Sequence, residues 1–196
     1  MKKLLFAAIL TGMVTLAFAQ HETLFNNARV VGAFGGPITE FGISDGLNTA
    51  YGGGGGIVIG NAFLGGYGMG SVDLNELIDG NNIDQIELAH GGFWVGYTYQ
   101  PYKLLHVFST AKIGWGAVNV KTDNFNLFED RNDDVFVLTP ELGLELNIFK
   151  WFRLAGTAGY RWVNGTSAAT IYNDEDFSGF VSTVSFRFGW FGNRRF

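Results

Sequence analysis

The sequence predicts an all-β protein, an eight-stranded antiparallel up-and-down transmembrane β-barrel. Three observations predict it. The last stretch alternates between two unlike faces, seven earlier segments repeat that alternation, and the links between segments are short and long in turn. From Phe180 to Phe191 one set of side chains is Phe180, Ser182, Val184, Phe186, Phe188 and Trp190. The other is Val181, Thr183, Ser185, Arg187, Gly189 and Phe191. A period of two is a strand with two different environments. An apolar face that finishes in aromatics, backed by a small polar one, suits a strand with lipid outside and a packed interior.

In chain order the candidate strands run over 28–36, 50–59, 62–72, 86–99, 105–120, 135–148, 152–164 and 177–191. The first ends at Pro37, which cannot donate to a ladder. The second carries the run Gly52–Gly56, where small residues on both faces let neighbouring groups crowd in or let the strand bend. No Lys-Ser/Thr and no helix follow that run, so it is not a phosphate cradle. In the third, Gly66, Gly68 and Gly70 are expected to leave inner space for large charged side chains of other strands. Gly60-Asn61, Gln100 to Leu104 and Phe149-Lys150-Trp151 are hairpin-length links. The links 37–49, 73–85, 121–134 and 165–176 are longer and rich in Asn, Asp and Gly. An even number of strands then puts both termini on the short-link side, as in outer-membrane barrels.

The chain has 196 residues, one domain's worth. Residues 1–19 have the form of a signal peptide: Lys2-Lys3, an apolar stretch Leu4 to Leu16, then Ala17-Phe18-Ala19 before Gln20. Its removal leaves 20–196 as the barrel and takes the net charge from −5 to about −7. That balance argues against nucleic acid as a partner. With no cysteine there is no disulfide or thiol chemistry. No later segment is apolar for long enough to cross as a helix, so any crossing is by strands.

Strands five to seven say which face is outside. Phe136, Leu138, Leu142, Leu144, Leu146 and Ile148 stand against Val135, Val137, Thr139, Glu141, Gly143, Glu145 and Asn147. Phe152, Leu154, Ala158, Tyr160 and Trp162 stand against Arg153, Ala155, Thr157, Gly159, Arg161 and Val163. Val107, Ala111, Ile113 and Trp115 stand against His106, Phe108, Thr110, Lys112 and Gly114. Eight strands enclose room for little more than their own side chains, so the small face goes inside and the bulky one meets lipid. Two aromatic girdles follow. Trp115, Phe136, Trp162 and Phe180 fall toward the long links, and Phe63, Tyr99, Phe149, Trp151, Phe152, Phe188 and Trp190 toward the short ones. Pro140 removes one ladder bond, and a bulge is expected there.

Residues 28–196 resemble the small OmpA- and OmpX-like outer-membrane barrels. Gly35-Gly36-Pro37, the run Gly52–Gly56 and Pro140-Glu141-Leu142-Gly143-Leu144-Glu145-Leu146 resemble barrel proteins common in Bacteroidetes. The resemblance implies the outer membrane of a Gram-negative envelope, with lipid, lipopolysaccharide and other outer-membrane proteins as neighbours. It does not fix an activity, because one barrel hosts several roles. OmpA carries a cell-wall-binding domain after its barrel; this sequence stops at the barrel, so that anchoring is not carried over.

With the bulky face outside, Lys112, Glu141, Glu145, Arg153, Arg161 and Arg187 point inward, and Arg29 adds a further cation on strand one. Counting position 148 opposite 152 sets Glu141 beside Gly159 and Glu145 opposite Ala155. Lys112 is expected to lie between Glu141 and Glu145. Charges inside tend to pair, so the set reads as an ion-pair network plugging the lumen, with a narrow ion path as the alternative. Barrels of this size include lipid A deacylases and acyltransferases. His90, toward the outer half of strand four, is the only histidine placed where outer-leaflet lipid could reach it, and it reads as a satisfied lumen or rim residue. No nucleophile is spaced to pair with it, no histidine lies on strand eight, and His106 reads as a rim residue. No catalytic residue, cofactor or metal site is therefore assigned. The long links are acidic (Asp73, Glu76, Asp79 and Asp84; Asp123, Glu129, Asp130, Asp133 and Asp134; Asp174, Glu175 and Asp176), without calcium-loop spacing. Asn164-Gly165-Thr166 reads as a turn. The role expected is non-enzymatic: structural, surface contact, or an accessory subunit.

Overall fold

A computed structural model describes residues 29–43, 49–71, 84–122, 132–165 and 174–192. Eight antiparallel strands form one closed barrel. They are β1 (Val30–Gly42), β2 (Ala50–Ile59), β3 (Ala62–Ser71), β4 (Asp84–Tyr99), β5 (Leu105–Thr122), β6 (Asn132–Phe149), β7 (Phe152–Asn164) and β8 (Gly179–Trp190). Each strand pairs with the next in sequence, and β1 closes on β8. A single helical turn, α1 (Asp174–Phe177), stands just before β8, where the sequence reading has only a link. The stretch 1–19, and most of the acidic long links, lie outside the described residues.

β1 differs most from expectation, running five residues past Pro37 to Gly42. Pro37 is tolerated because its missing N–H falls in a gap of the β1–β8 ladder at Gly36 and Pro37, while the β1–β2 ladder continues through Pro37↔Gly53. Pro140 is handled in the same way. Its partner Ala111 on β5 is kept, the β6–β7 ladder skips Thr139 and Pro140, and the register on either side is unchanged. There is no bulge at Pro140; the irregularities are at Val30/Gly32 and Asn147/Phe149.

β5 to β8 turn the faces the sequence assigns them. Leu142, Leu144, Phe186 and Phe188 are exposed, and Thr139, Glu141, Glu145, Thr183 and Arg187 are buried. β1 to β4 correct the placing of Phe63 in an outer girdle. Phe34, Phe63, Tyr67 and Trp94 point into the barrel and are buried, where they join the inward Phe108 of β5. The short-link half of the interior is an aromatic plug. The Phe63 ring packs edge-on against Phe34 and Trp94, each with a centroid separation of 5.1 Å, and stacks on Phe108. Glycines make the room. A Cβ at Gly96 would lie 2.3 Å from the Phe63 ring, and one at Gly114 would lie 2.4 Å from the Tyr67 hydroxyl.

Gly66, Gly68 and Gly70 do not serve that purpose, because they face outward. Odd residues of β3 (Phe63, Tyr67, Met69, Ser71) take the interior, and the even ones take the wall. Registers align outward glycines in rows across strands: Gly35 with Gly55 and Gly66, and Gly53 with Gly68 and Gly91. The outer wall over β1 to β4 is thus partly bare main chain at mid-height.

Candidate functional site

The interior holds two charge clusters, one above the other. In the long-link half, Lys112 Nζ lies 2.6 Å from Glu40 Oε2 and 2.9 Å from Glu141 Oε1. It also donates to Thr183 Oγ1 at 3.3 Å. Arg161 Nη1 donates to Glu40 Oε1 at 3.0 Å, and its Nε donates to the Phe177 carbonyl at 2.9 Å. Glu141 also accepts from Thr157 at 3.0 Å and Thr183 at 2.6 Å. Lys112 and Glu40 are fully enclosed. Two cations face two carboxylates, so this cluster is neutral, and it ties β1, β5, β6, β7 and β8 together across the lumen.

In the short-link half a single carboxylate, Glu145, receives three donors. His106 Nε2 approaches Oε1 at 2.9 Å, Arg153 Nη1 donates to Oε1 at 2.8 Å, and Arg187 Nη1 donates to Oε2. Rings cover the cations. The Arg187 guanidinium lies 3.8 Å from the Phe34 ring centroid and 4.8 Å from those of Phe63 and Phe108, and Arg153 lies 4.0 Å from that of Phe191. Cation–π attraction is worth about 2 kcal/mol or more where water is excluded. Even with His106 neutral this cluster carries one cation more than it has carboxylates.

Lys112, Glu141, Glu145, Arg153, Arg161 and Arg187 all lie in these clusters, and the pairings Glu141↔Gly159 and Glu145↔Ala155 are as counted, whereas Arg29 is exposed just before β1 and joins neither cluster. Lys112 is displaced from its expected place. Its β6 neighbour is Thr139, while His106 stands opposite Glu145 and Thr110 opposite Glu141. Two members were missed. Glu40 falls in the link 37–49 of the sequence reading; the even-numbered series Phe34, Gly36, Ile38, Glu40 is the signal that continues through Pro37. His106 is no rim residue, being buried with Nδ1 2.9 Å from the Lys103 carbonyl oxygen.

His90 is a lumen residue, as the sequence reading favours. It faces the lumen, is 5% exposed, and its Nδ1 pairs with the Tyr67 hydroxyl at 3.0 Å, so lipid outside the barrel does not touch it. Among the described residues no group of three or more acidic or histidine side chains is placed to hold a metal. Trp115, Phe136, Trp162, Phe180, Tyr99, Trp151, Phe188 and Trp190 are all exposed on the outer wall. Ring contacts join some of them, Trp115–Phe136 at 5.8 Å on the long-link side and Trp151–Phe188 at 6.1 Å on the short-link side.

The short-link end opens as a mouth lined by Arg29, Asn61, Tyr102, Lys150, Arg153 and Phe191, among others. Beneath it a smaller pocket touches Asn61, Phe63, Thr98, Arg153, Arg187 and Phe191.

No family model matches the chain, and no curated protein matches it. Solved structures share its fold. Outer membrane protein H (OprH) from P. aeruginosa, determined in DHPC micelles, superposes with a TM-score of 0.52 at 13% identity, over 81% of this chain and 99% of that one. Ail, the attachment invasion locus protein of Yersinia pestis, gives 0.48 at 11% identity, over 81% of this chain and 97% of Ail. Ail in complex with the heparin analogue sucrose octasulfate gives 0.47 at 9% identity. The fold is the closed eight-stranded antiparallel barrel of outer-membrane proteins such as OprH.

Proposed function

We propose that the chain resides in a bacterial outer membrane as a closed, non-enzymatic barrel, exported by residues 1–19. Its role is structural, surface contact through the long links, or that of an accessory subunit in a larger envelope assembly. The observation that carries this is the reversed polarity of the molecule. Leu142, Phe180 and Trp190 are more than 60% exposed while Glu40, Lys112 and Glu145 are wholly enclosed. Exposed apolar surface contributes about 25 cal/mol per Å² on leaving water, so an outer wall of this kind is stable only against hydrocarbon. The two rings of exposed aromatics mark the membrane interfaces. The wall's neighbours are membrane lipid, lipopolysaccharide and other outer-membrane proteins. Gly35-Gly36-Pro37, Gly52–Gly56 and the Pro140–Leu146 segment support a place among OmpA/OmpX-like barrels of the Bacteroidetes type.

The ion pairs and the packed rings inside the barrel support a silent barrel over a conducting one. Enclosure of His90 with Tyr67 argues against a lipid-modifying centre. A mild-detergent pull-down of the full chain from native membrane tests the accessory role. Recovery with stoichiometric envelope proteins is expected, and recovery of the barrel alone would leave the structural role. Stepwise currents in planar bilayers, or an altered lipid A mass spectrum on deletion, would overturn the non-conducting and non-enzymatic readings respectively.

A further inference from the structure

We infer that the short-link mouth is a binding site for a phosphate-bearing anion. The two interior clusters carry unequal charge. The one around Lys112 is neutral, whereas the one around Glu145 has two guanidiniums for a single carboxylate. An unbalanced charge in a dry interior is costly unless a counter-ion is within reach. Arg187 is 2% exposed, its Nε has no partner among the described residues, and it lines the pocket beneath the mouth. Arg153 lines both that pocket and the mouth itself. The excess donor capacity is therefore adjacent to an opening.

The rim extends the same charge. Arg29 and Lys150 line the mouth, and Lys103 is exposed on the neighbouring link. Among the described residues, the only acidic side chain at this end is Glu145, which is already saturated with donors. Acidic residues gather instead at the far end, at Asp84, Asp134 and the α1 turn. Among the described residues, an anion entering here meets Arg29, Lys150 and Arg153, and the one carboxylate nearby, Glu145, is already held by its own donors. Guanidinium forks match the tetrahedral oxygens of phosphate, and Asn61 supplies a neutral donor alongside. Free phosphate and the phosphodiester of an acidic membrane lipid share this chemistry.

The test uses the full chain folded in phosphatidylcholine nanodiscs. One arm measures equilibrium dialysis of radiolabelled inorganic phosphate against a background of sodium chloride. The other dopes the discs with phosphatidylglycerol and measures, by mass spectrometry, which lipid stays with the barrel on transfer to detergent. Saturable binding of a single phosphate, or selective retention of phosphatidylglycerol, is expected, and which arm responds identifies the source of the anion. The paired rim variant Arg29→Ala with Lys150→Ala, which leaves the interior untouched, should weaken binding about tenfold. Failure of both arms overturns the inference, as does unchanged affinity in the rim variant. Either failure leaves the membrane assignment intact, because the folded barrel in the disc is its own control.

Discussion

Glu145 is where the interior is most exposed to a single change. Replacing Glu145 with Gln keeps the shape but leaves Arg153 and Arg187 buried without a carboxylate. The expected loss is about 3–5 kcal/mol, read as a lower midpoint of urea unfolding in detergent micelles. Glu40→Gln removes the shared partner of Lys112 and Arg161 and should lose a similar amount. Removing Lys112 as well, as Glu40→Gln with Lys112→Met, should cost less than the sum of the two single changes. A double-mutant cycle that came out additive would contradict the pairing. Glu145 was legible because strand six alternates without interruption. Glu40 was hidden by one proline, although its parity matches Phe34 and Ile38.

Strands differ in how plainly they declare themselves. β5 to β8 place bulky and small residues on opposite faces, so inside and outside follow from alternation alone. β2 and β3 are glycine-rich on both faces, and there alternation carries little contrast. Phe63 and Tyr67 could be assigned to the interior only from the registers with β2 and β4. The pairing of β5 with β6 also escaped the sequence, because the long link between them fixes no offset; the short link between β6 and β7 did fix one. Two measurements follow at this scale. Gly96→Ala drives a methyl into the Phe63 ring and should destabilise the barrel by about 1–3 kcal/mol. Pro140→Ala restores an N–H where the β6–β7 ladder is interrupted. It should be neutral or stabilising by up to about 1.5 kcal/mol, and slowed amide exchange at the new N–H would report the bond.

For the molecule as a whole, the absence of cysteine allows its orientation to be read directly. Glu175→Cys, on the α1 turn, should react with an impermeant maleimide on intact cells, and Lys150→Cys should react only after the outer membrane is opened. The reverse pattern would invert the barrel. The rows of glycine on the outer wall have a further effect. At mid-height, hydrocarbon tails beside β1 to β3 meet carbonyls and Cα hydrogens between scattered side chains such as Tyr51 and Leu64, whereas beside β6 to β8 they interleave with leucine, phenylalanine and tryptophan. Grip on the bilayer is therefore lopsided, and the rough flank sets the depth at which the cylinder floats. In membranes of thinner or thicker acyl chains the smooth flank should yield first. The axis would then lean by rocking about the tryptophan side, a motion that polarised infrared spectra of oriented films record as a change in amide dichroism.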